Sequence, residues 1–379
     1  MRRLRFDRNE LAGSFGDIGT DVPLLMGMIL SAGLDSASVL VVFGALQILT
    51  GLFYGLPMPM QPLKAMAVIV ITQQVAAPVL YGAGFAIGAV MLLLCVTGLL
   101  DALARAIPKC VVRGIQFGLG LSLARLALGK YVAGDGIEGY ALALFGFAVM
   151  AALWGNRRFP PGLLVIGAGV AYAAFFRLDA REVQDGVGLA WPAFHAPSLS
   201  DIVTGFLLLS LPQIPLSLSN SIIATRQTIA DLFPERHVTI RKIGFTYAFV
   251  NLVAPFLGGI PACHGCGGLA GHYALGARTG GSVVLYGSYY LVLGLFLSRV
   301  AGEIISAFPQ ALLGVVLVFE SLTLLGFVRD QTGSQRDLSI AFLVALAVFA
   351  LPQGYVVGLV LGTALYYLGA FREKGAHEG

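Results

Sequence analysis

Apolar stretches of membrane-span length recur along the whole chain, parted by charges or by clusters of glycine and proline. They fall at about 11–32, 36–56, 62–77, 82–104, 111–129, 139–154, 160–177, 199–228, 239–258, 264–277, 281–299, 304–327, 337–351 and 353–371. A helix needs about 20 residues to cross a hydrocarbon core of about 30 Å. The pattern therefore predicts an all-α polytopic membrane protein of 14 segments. Two of them, 62–77 and 264–277, are short, with only about 21–24 Å of helix each. Each follows a stretch that cannot be helical, Gly55-Leu-Pro57-Met-Pro59-Met-Gln61-Pro62 and Gly258-Gly-Ile-Pro261-Ala-Cys263-His264-Gly-Cys266-Gly-Gly268. Proline forbids helix for itself and disfavours it in the residue before, so both stretches should be extended. Irregular backbone at membrane depth persists only where it is buried in protein or lines a wet cavity. The short segments are third and tenth in order, equivalent places in two halves of seven. Paired interruptions of that kind point to an inverted-repeat transporter with its site at the breaks. The halves would be residues 1–190 and 191–379, with no soluble domain. Two ordinary proline kinks are the competing explanation.

Composition removes whole classes of function. The 379 residues are 57% hydrophobic and 12% charged, with a mean hydropathy of +0.84. A soluble domain carries about twice that charge, which excludes a soluble enzyme, a nucleic-acid binder and a disordered scaffold. With the N-terminus inside, 18 of the 24 basic residues fall on the cytoplasmic side. Lys130, Arg177, Arg181 and Arg299 fall outside, and Lys64 and Arg125 within segments. This bias agrees with the positive-inside rule, places both termini in the cytoplasm, and implies an inner or plasma membrane. The basic N-terminus resembles a signal flank, but no cleavage site follows and the apolar run carries Asp17 and Asp21, so it reads as a retained helix. The four cysteines lie in or beside apolar segments, which argues against a disulfide framework.

A helix that begins mid-membrane turns unpaired N–H groups and the positive end of its dipole toward whatever precedes it. Two such ends make an anion site. Pro62 suits the first helical position, and Lys64 follows in the first turn. A buried lysine there needs a counter-charge, which a bound anion or Asp17 would supply. Polar residues also interrupt the first segment (Asp17, Thr20, Asp21) and the eighth (Gln213, Ser217, Asn220, Ser221). Hydroxyl and amide donors suit a tetrahedral oxyanion, whereas small-residue helix packing is the plainer reading of the serines. His264 and Gly265 lie at the second break, where a histidine could donate to an anion or titrate during transport. Cys263-His-Gly-Cys266 offers at most three metal ligands and has no second cluster, so neither metal nor cofactor is expected. Glu320 is isolated in apolar sequence and joins Asp17 and His264 as a candidate proton carrier, with packing against a polar partner as the alternative.

At these residues the chain resembles a family. Gly13-Ser-Phe-Gly-Asp-Ile-Gly-Thr20, Pro57-Met-Pro-Met-Gln-Pro-Leu-Lys-Ala65, Pro212-Gln-Ile-Pro-Leu continuing to Asn220-Ser-Ile-Ile-Ala224, and Cys263-His-Gly-Cys-Gly-Gly-Leu-Ala-Gly271 with Gly276-Ala-Arg-Thr-Gly-Gly281 look like signatures of the molybdate transporter family, a branch of the sulfate permease superfamily. The resemblance implies the seven-plus-seven inverted repeat of that superfamily, with core and gate domains. It also implies a chain without the cytoplasmic regulatory (STAS) domain, because eight residues follow the last segment. The implied substrate site is Gln61, Lys64, His264 and Gly265 at the breaks, Thr20 with Asp17 on the first segment, and Gln213, Ser217 and Asn220 on the eighth. Cys266, His272 and Leu275 depart from the family pattern.

The expected function is secondary active import of molybdate, coupled to protons, and not an enzymatic reaction. A sulfate transporter or anion exchanger of the same fold is the alternative, and a nucleobase–proton symporter a more distant one. The expected partners are a molybdate or sulfate oxyanion, protons and the lipid bilayer, with no nucleic acid. A homodimer is the assembly considered.

Overall fold

The computed structural model describes residues 4–377 apart from 155, 157, 158, 160, 180, 182, 183, 185, 186, 299, 301–305 and 352. The chain opens with α1 (Arg8–Gly13), α2 (Ile18–Ala32) and α3 (Ser36–Tyr54). Strand β1 (Met60–Pro62) and helix α4 (Lys64–Gln73) follow, then α5 (Ala77–Thr97) and α6 (Leu99–Ala106). Next come α7 (Lys109–Gly134), α8 (Gly136–Ala152) and α9 (Pro161–Phe176). In the second half α10 (Leu199–Leu216) runs through a π-helical stretch, Ser217–Ala224, into α11 (Thr225–Leu232). Then come α12 (Ile240–Val253), β2 (Ala262–His264), α13 (Cys266–Ala274), α14 (Gly281–Phe296), α15 (Gln310–Gly326), α16 (Gln335–Ala350) and α17 (Gly354–His377). Five of the described helices are long and apolar enough to cross a membrane: α3, α5, α7, α10 and the stretch Gln310–Gln331 that contains α15. The apolar helices α2, α4, α8, α9 and α14 are shorter.

The structure amends the all-α expectation at the two breaks. Their extended residues pair as an antiparallel ribbon, with Met60 opposite His264, Gln61 opposite Cys263 and Pro62 opposite Ala262. Pairing is what membrane depth demands of extended backbone, whose N–H and C=O groups would otherwise lack partners. Pro62 belongs to this ribbon rather than to the first helical turn. Leu63 is the N-cap residue and Lys64 opens α4. Two predicted segments are also interrupted. The first breaks between α1 and α2, at Ser14–Asp17. The segment 82–104 breaks at Gly98, whose φ of 75° closes α5 in a left-handed cap.

Packing sorts the helices into two sets. In one, α3 lies along α14 and α5 along α12 and α10; in the other, α7, α15, α16 and α17 pack together with α8 on α15. Glycine lets the α3–α14 pair approach to backbone contact. A Cβ on Gly44 or Gly51 would press on the carbonyls of Gly287 and Gly280, and these glycines recur every seven residues along their helices. Close small-residue contact of this kind holds helices together where lipid removes any hydrophobic drive. The ribbon, α4 and α13 belong to the first set, and α4 also touches α7 of the second.

Candidate functional site

Two carboxamides hold the ribbon from its outer edges. Gln47 of α3 accepts from Met60 N (2.8 Å) and donates to Met60 O (2.7 Å). Asn251 of α12 accepts from Ala262 N (3.0 Å) and donates to Ala262 O (2.7 Å). Both side chains are fully buried. Each supplies one donor and one acceptor to an edge that no third strand covers. A lone amide in an otherwise apolar helix was the signal available for both, and the sequence reading passed over them.

Beyond the ribbon the two short helices start differently. At α4, Gln213 points its Oε1 at the first turn and accepts from Ala65 N (2.9 Å) and Met66 N (3.2 Å). Its Nε2 donates to Ser217 Oγ (3.1 Å), which in turn contacts the Tyr247 hydroxyl (2.8 Å). Gln213 and Ser217 are thus engaged with protein. They reach this position from a helix widened on both sides of Pro212 and Pro215, with π-helical turns at Phe206–Ser210 and Ser217–Ala224. Prolines remove i→i−4 donors, and π turns are the usual accommodation. Lys64 opens α4, half-buried and near Cys263.

At α13 the neighbour is a carboxylate. Gln61 Nε2 lies 2.7 Å from both oxygens of Asp17. The Asp17 carboxylate lies against Gly268 in the first turn of α13, where a Cβ would overlap it and the Pro59 ring. A Cβ on Gly265 would overlap the Gln61 carboxamide. The glycines of the first signature explain how Asp17 arrives there. Gly13 and Gly16 lie directly on the backbone of Gly271, His272 and Ala277, so the chain entering α2 crosses α13 at contact distance. One turn further along α2, Asp21 accepts from the Tyr286 hydroxyl (3.0 Å), itself 2.7 Å from the Tyr290 hydroxyl. Asp17 and Asp21 are both buried.

The ribbon's pleat decides which side chains face this network. Gln61 and Cys263 are directly opposed and share a face; Met60 and His264 share the other. His264 is fully buried behind the ribbon, with Nε2 3.0 Å from Thr246 Oγ1 and its ring edge-on to Tyr54 at 5.2 Å. Sequence reasoning placed His264 at the site, whereas the structure brings Cys263 there. Asn220 accepts from Cys266 Sγ at 3.2 Å. Thr20 turns elsewhere, lining a cavity of about 230 Å³ with Trp154, Phe319 and Thr323. The side chain of Glu320 lies outside the described residues. Among the described residues, no three of His, Cys, Asp or Glu are placed to hold a metal ion.

The last signature block serves Glu10. Its carboxylate accepts from Arg278 N (3.0 Å), Thr279 N (2.9 Å) and Ser282 N (3.0 Å), at the turn that opens α14. A buried acid on a helix N-terminus is favourable, and this one ties α1 to the end of the α13 hairpin.

The fold that carries the ribbon and its two helix starts is shared with solved membrane transport proteins. The fold matches the transmembrane domain of the cyanobacterial bicarbonate transporter BicA, with a TM-score of 0.70 at 16% identity over 94% of this chain and 98% of that one. It also matches the murine anion transporter Slc26a9 in its inward-facing state, with a TM-score of 0.69 at 14% identity over 98% of this chain and 70% of that one. The family model described as "Molybdate transporter of MFS superfamily" matches residues 9–123 and 205–324. Molybdate transporter 1 of Arabidopsis thaliana is 31% identical over 97% of this chain and 89% of its own length, and Molybdate transporter 2 of the same plant 32% over the same shares. The chain belongs to the molybdate transporter family and is a multi-pass membrane transporter, not an enzyme.

Proposed function

We propose that the protein imports molybdate across the inner or plasma membrane by secondary active transport, in symport with protons. In this reading 14 spans form two inverted halves, residues 1–190 and 191–379, with both termini cytoplasmic. The set containing α2–α5 and α10–α14 carries the anion at the ribbon, and moves against a gate of α7–α9 and α15–α17. The substrate class follows from family membership, together with Lys64 and two helix starts at one ribbon.

The observation that carries the coupling is the Asp17 carboxylate against the first turn of α13, with Gln61 on both its oxygens. A carboxylate and a dianion compete for the same positive helix end. Protonation of Asp17 removes its charge and frees that end, so anion binding and proton binding favour each other. Coupling is needed because bringing a dianion in against a negative-inside potential costs about 4–5 kcal/mol per 100 mV. His264, held behind the ribbon by Thr246 and Tyr54, is less well placed for this role.

The test is uptake of labelled molybdate into proteoliposomes across an imposed pH gradient. Wild type should accumulate molybdate as external pH falls and stop when a protonophore is added. Asp17→Asn should transport at a rate that pH no longer changes. Wild-type uptake indifferent to pH and protonophore overturns the coupling. Uptake of sulfate without molybdate would replace the substrate and leave the mechanism in place.

A further inference from the structure

Arg125 lies on the apolar helix α7, and nothing in the transport reading uses it. It lines a cavity of about 540 Å³ bounded by α4, α7, α10, α16 and the start of α17. Lys130, further along α7, lines the same cavity, with Thr72, Gln73 and Gln353. No carboxylate is on its wall, and among the described residues neither cation forms an ion pair. Lys130 Nζ is 3.4 Å from the Ile71 carbonyl at the end of α4, and the Arg125 guanidinium lies 6.0 Å from the Phe349 ring. Capping a helix end and resting on an aromatic ring account for where each side chain lies, but neither contact neutralises a charge. A cation within a membrane segment, as Arg125 is, is costly unless it faces water or meets an anion, and Lys130 at the segment's end adds a second positive charge to the same wall. The backbone around the cavity is also unusual. Gln353 on its wall and Gln74 beside Gln73 are the only non-glycine residues with positive φ among those described.

The cavity also approaches the central network. Its lining includes Val68, one turn along α4 from Lys64, and Pro212, the neighbour of Gln213. We propose that it is a second anion site, a vestibule that collects the tetrahedral oxyanion before it reaches the ribbon. The vestibule's purpose rests on the transport reading, but its charge chemistry can be measured without transport.

Gly129 lines the same cavity, and a Cβ there meets open space. A Gly129→Cys protein therefore reports the local potential through its reaction with methanethiosulfonate reagents, in a Cys266→Ala background that removes the one partly exposed native thiol and leaves Cys95, Cys110 and Cys263 buried. With each rate expressed relative to the same reagent's rate on a free small thiol, the anionic sulfonatoethyl reagent should react on the order of tenfold faster than the cationic trimethylammonium reagent. Millimolar molybdate should slow it, and adding Arg125→Gln and Lys130→Gln should equalise the two rates. Equal rates in the starting protein, or a preference that molybdate does not blunt, overturn the proposal. The transport reading stands or falls separately, on wild-type uptake. Where both hold, Arg125→Gln with Lys130→Gln raises the KM for molybdate several-fold and leaves kcat unchanged.

Discussion

The two helix starts at the ribbon share a backbone plan and differ in charge. Each follows an extended, proline-containing break, and each strand has its outer edge held by a buried carboxamide, Gln47 on one side and Asn251 on the other. At α4 the first-turn amides are capped by the neutral Gln213, and the helix begins on Lys64. At α13 the first turn is glycine-rich and faces the Asp17 carboxylate. The common plan builds the scaffold, while the difference supplies function. In the proposed mechanism the Lys64 end is where the oxyanion is drawn in. The same proposal assigns to the Asp17 end the exchange of proton for substrate.

The sharpest way to break this comparison is to fill the space between Gln61 and α13. Gly265→Ala places a methyl group where the Gln61 carboxamide lies. The ribbon is held on both edges and interiors yield little, so the Gln61–Asp17 contact is displaced. Molybdate uptake should fall by more than a hundredfold. Gly267→Ala, two residues on, meets open space and is the matched control. A Gly265→Ala protein with wild-type uptake would mean that the Asp17 end plays no part in transport.

The shared plan is tested by removing the clamps. Gln47→Leu leaves Met60 N–H and C=O buried without partners, and Asn251→Leu does the same to Ala262. Each should cost about 2–6 kcal/mol, at about 1–3 for each of the two stranded groups, read as lost thermal stability in detergent. Similar losses are expected at both positions because the two amides do the same work. A large loss at one and none at the other would show that only one edge of the ribbon matters.

Much of this arrangement was legible in the sequence. Closely spaced prolines at 57, 59 and 62 and glycines around Pro261 marked both breaks, because their constraints on φ and on hydrogen bonding are local. The polar block around Asp17 marked an interruption of the first segment. What escaped is non-local. Pairing Gln61 with Cys263 joins residues two hundred positions apart, and only that register shows that His264 faces away while Cys263 faces the network. Gln213 looked like a donor to substrate, but its partners are amides of a helix that sequence spacing cannot bring to it. Glu10 lay just outside the first apolar run, and its role depends on a turn near residue 280.

The smallest expected effect sharpens the contrast between the two faces of the ribbon. His264 bonds Thr246 through Nε2, and its ring lies edge-on to Tyr54. Glutamine is of similar length and offers an amide to the same hydroxyl, so His264→Gln keeps the packing behind the ribbon and removes the imidazole. Uptake should fall by less than about threefold, roughly the 0.6 kcal/mol at the low end of one weakened hydrogen bond. The rise of uptake with falling pH should be unchanged, because the proton is assigned to Asp17 on the opposite side. If His264→Gln flattens the pH profile while Asp17→Asn preserves it, the roles of the two faces are reversed, and the histidine behind the ribbon is the proton carrier.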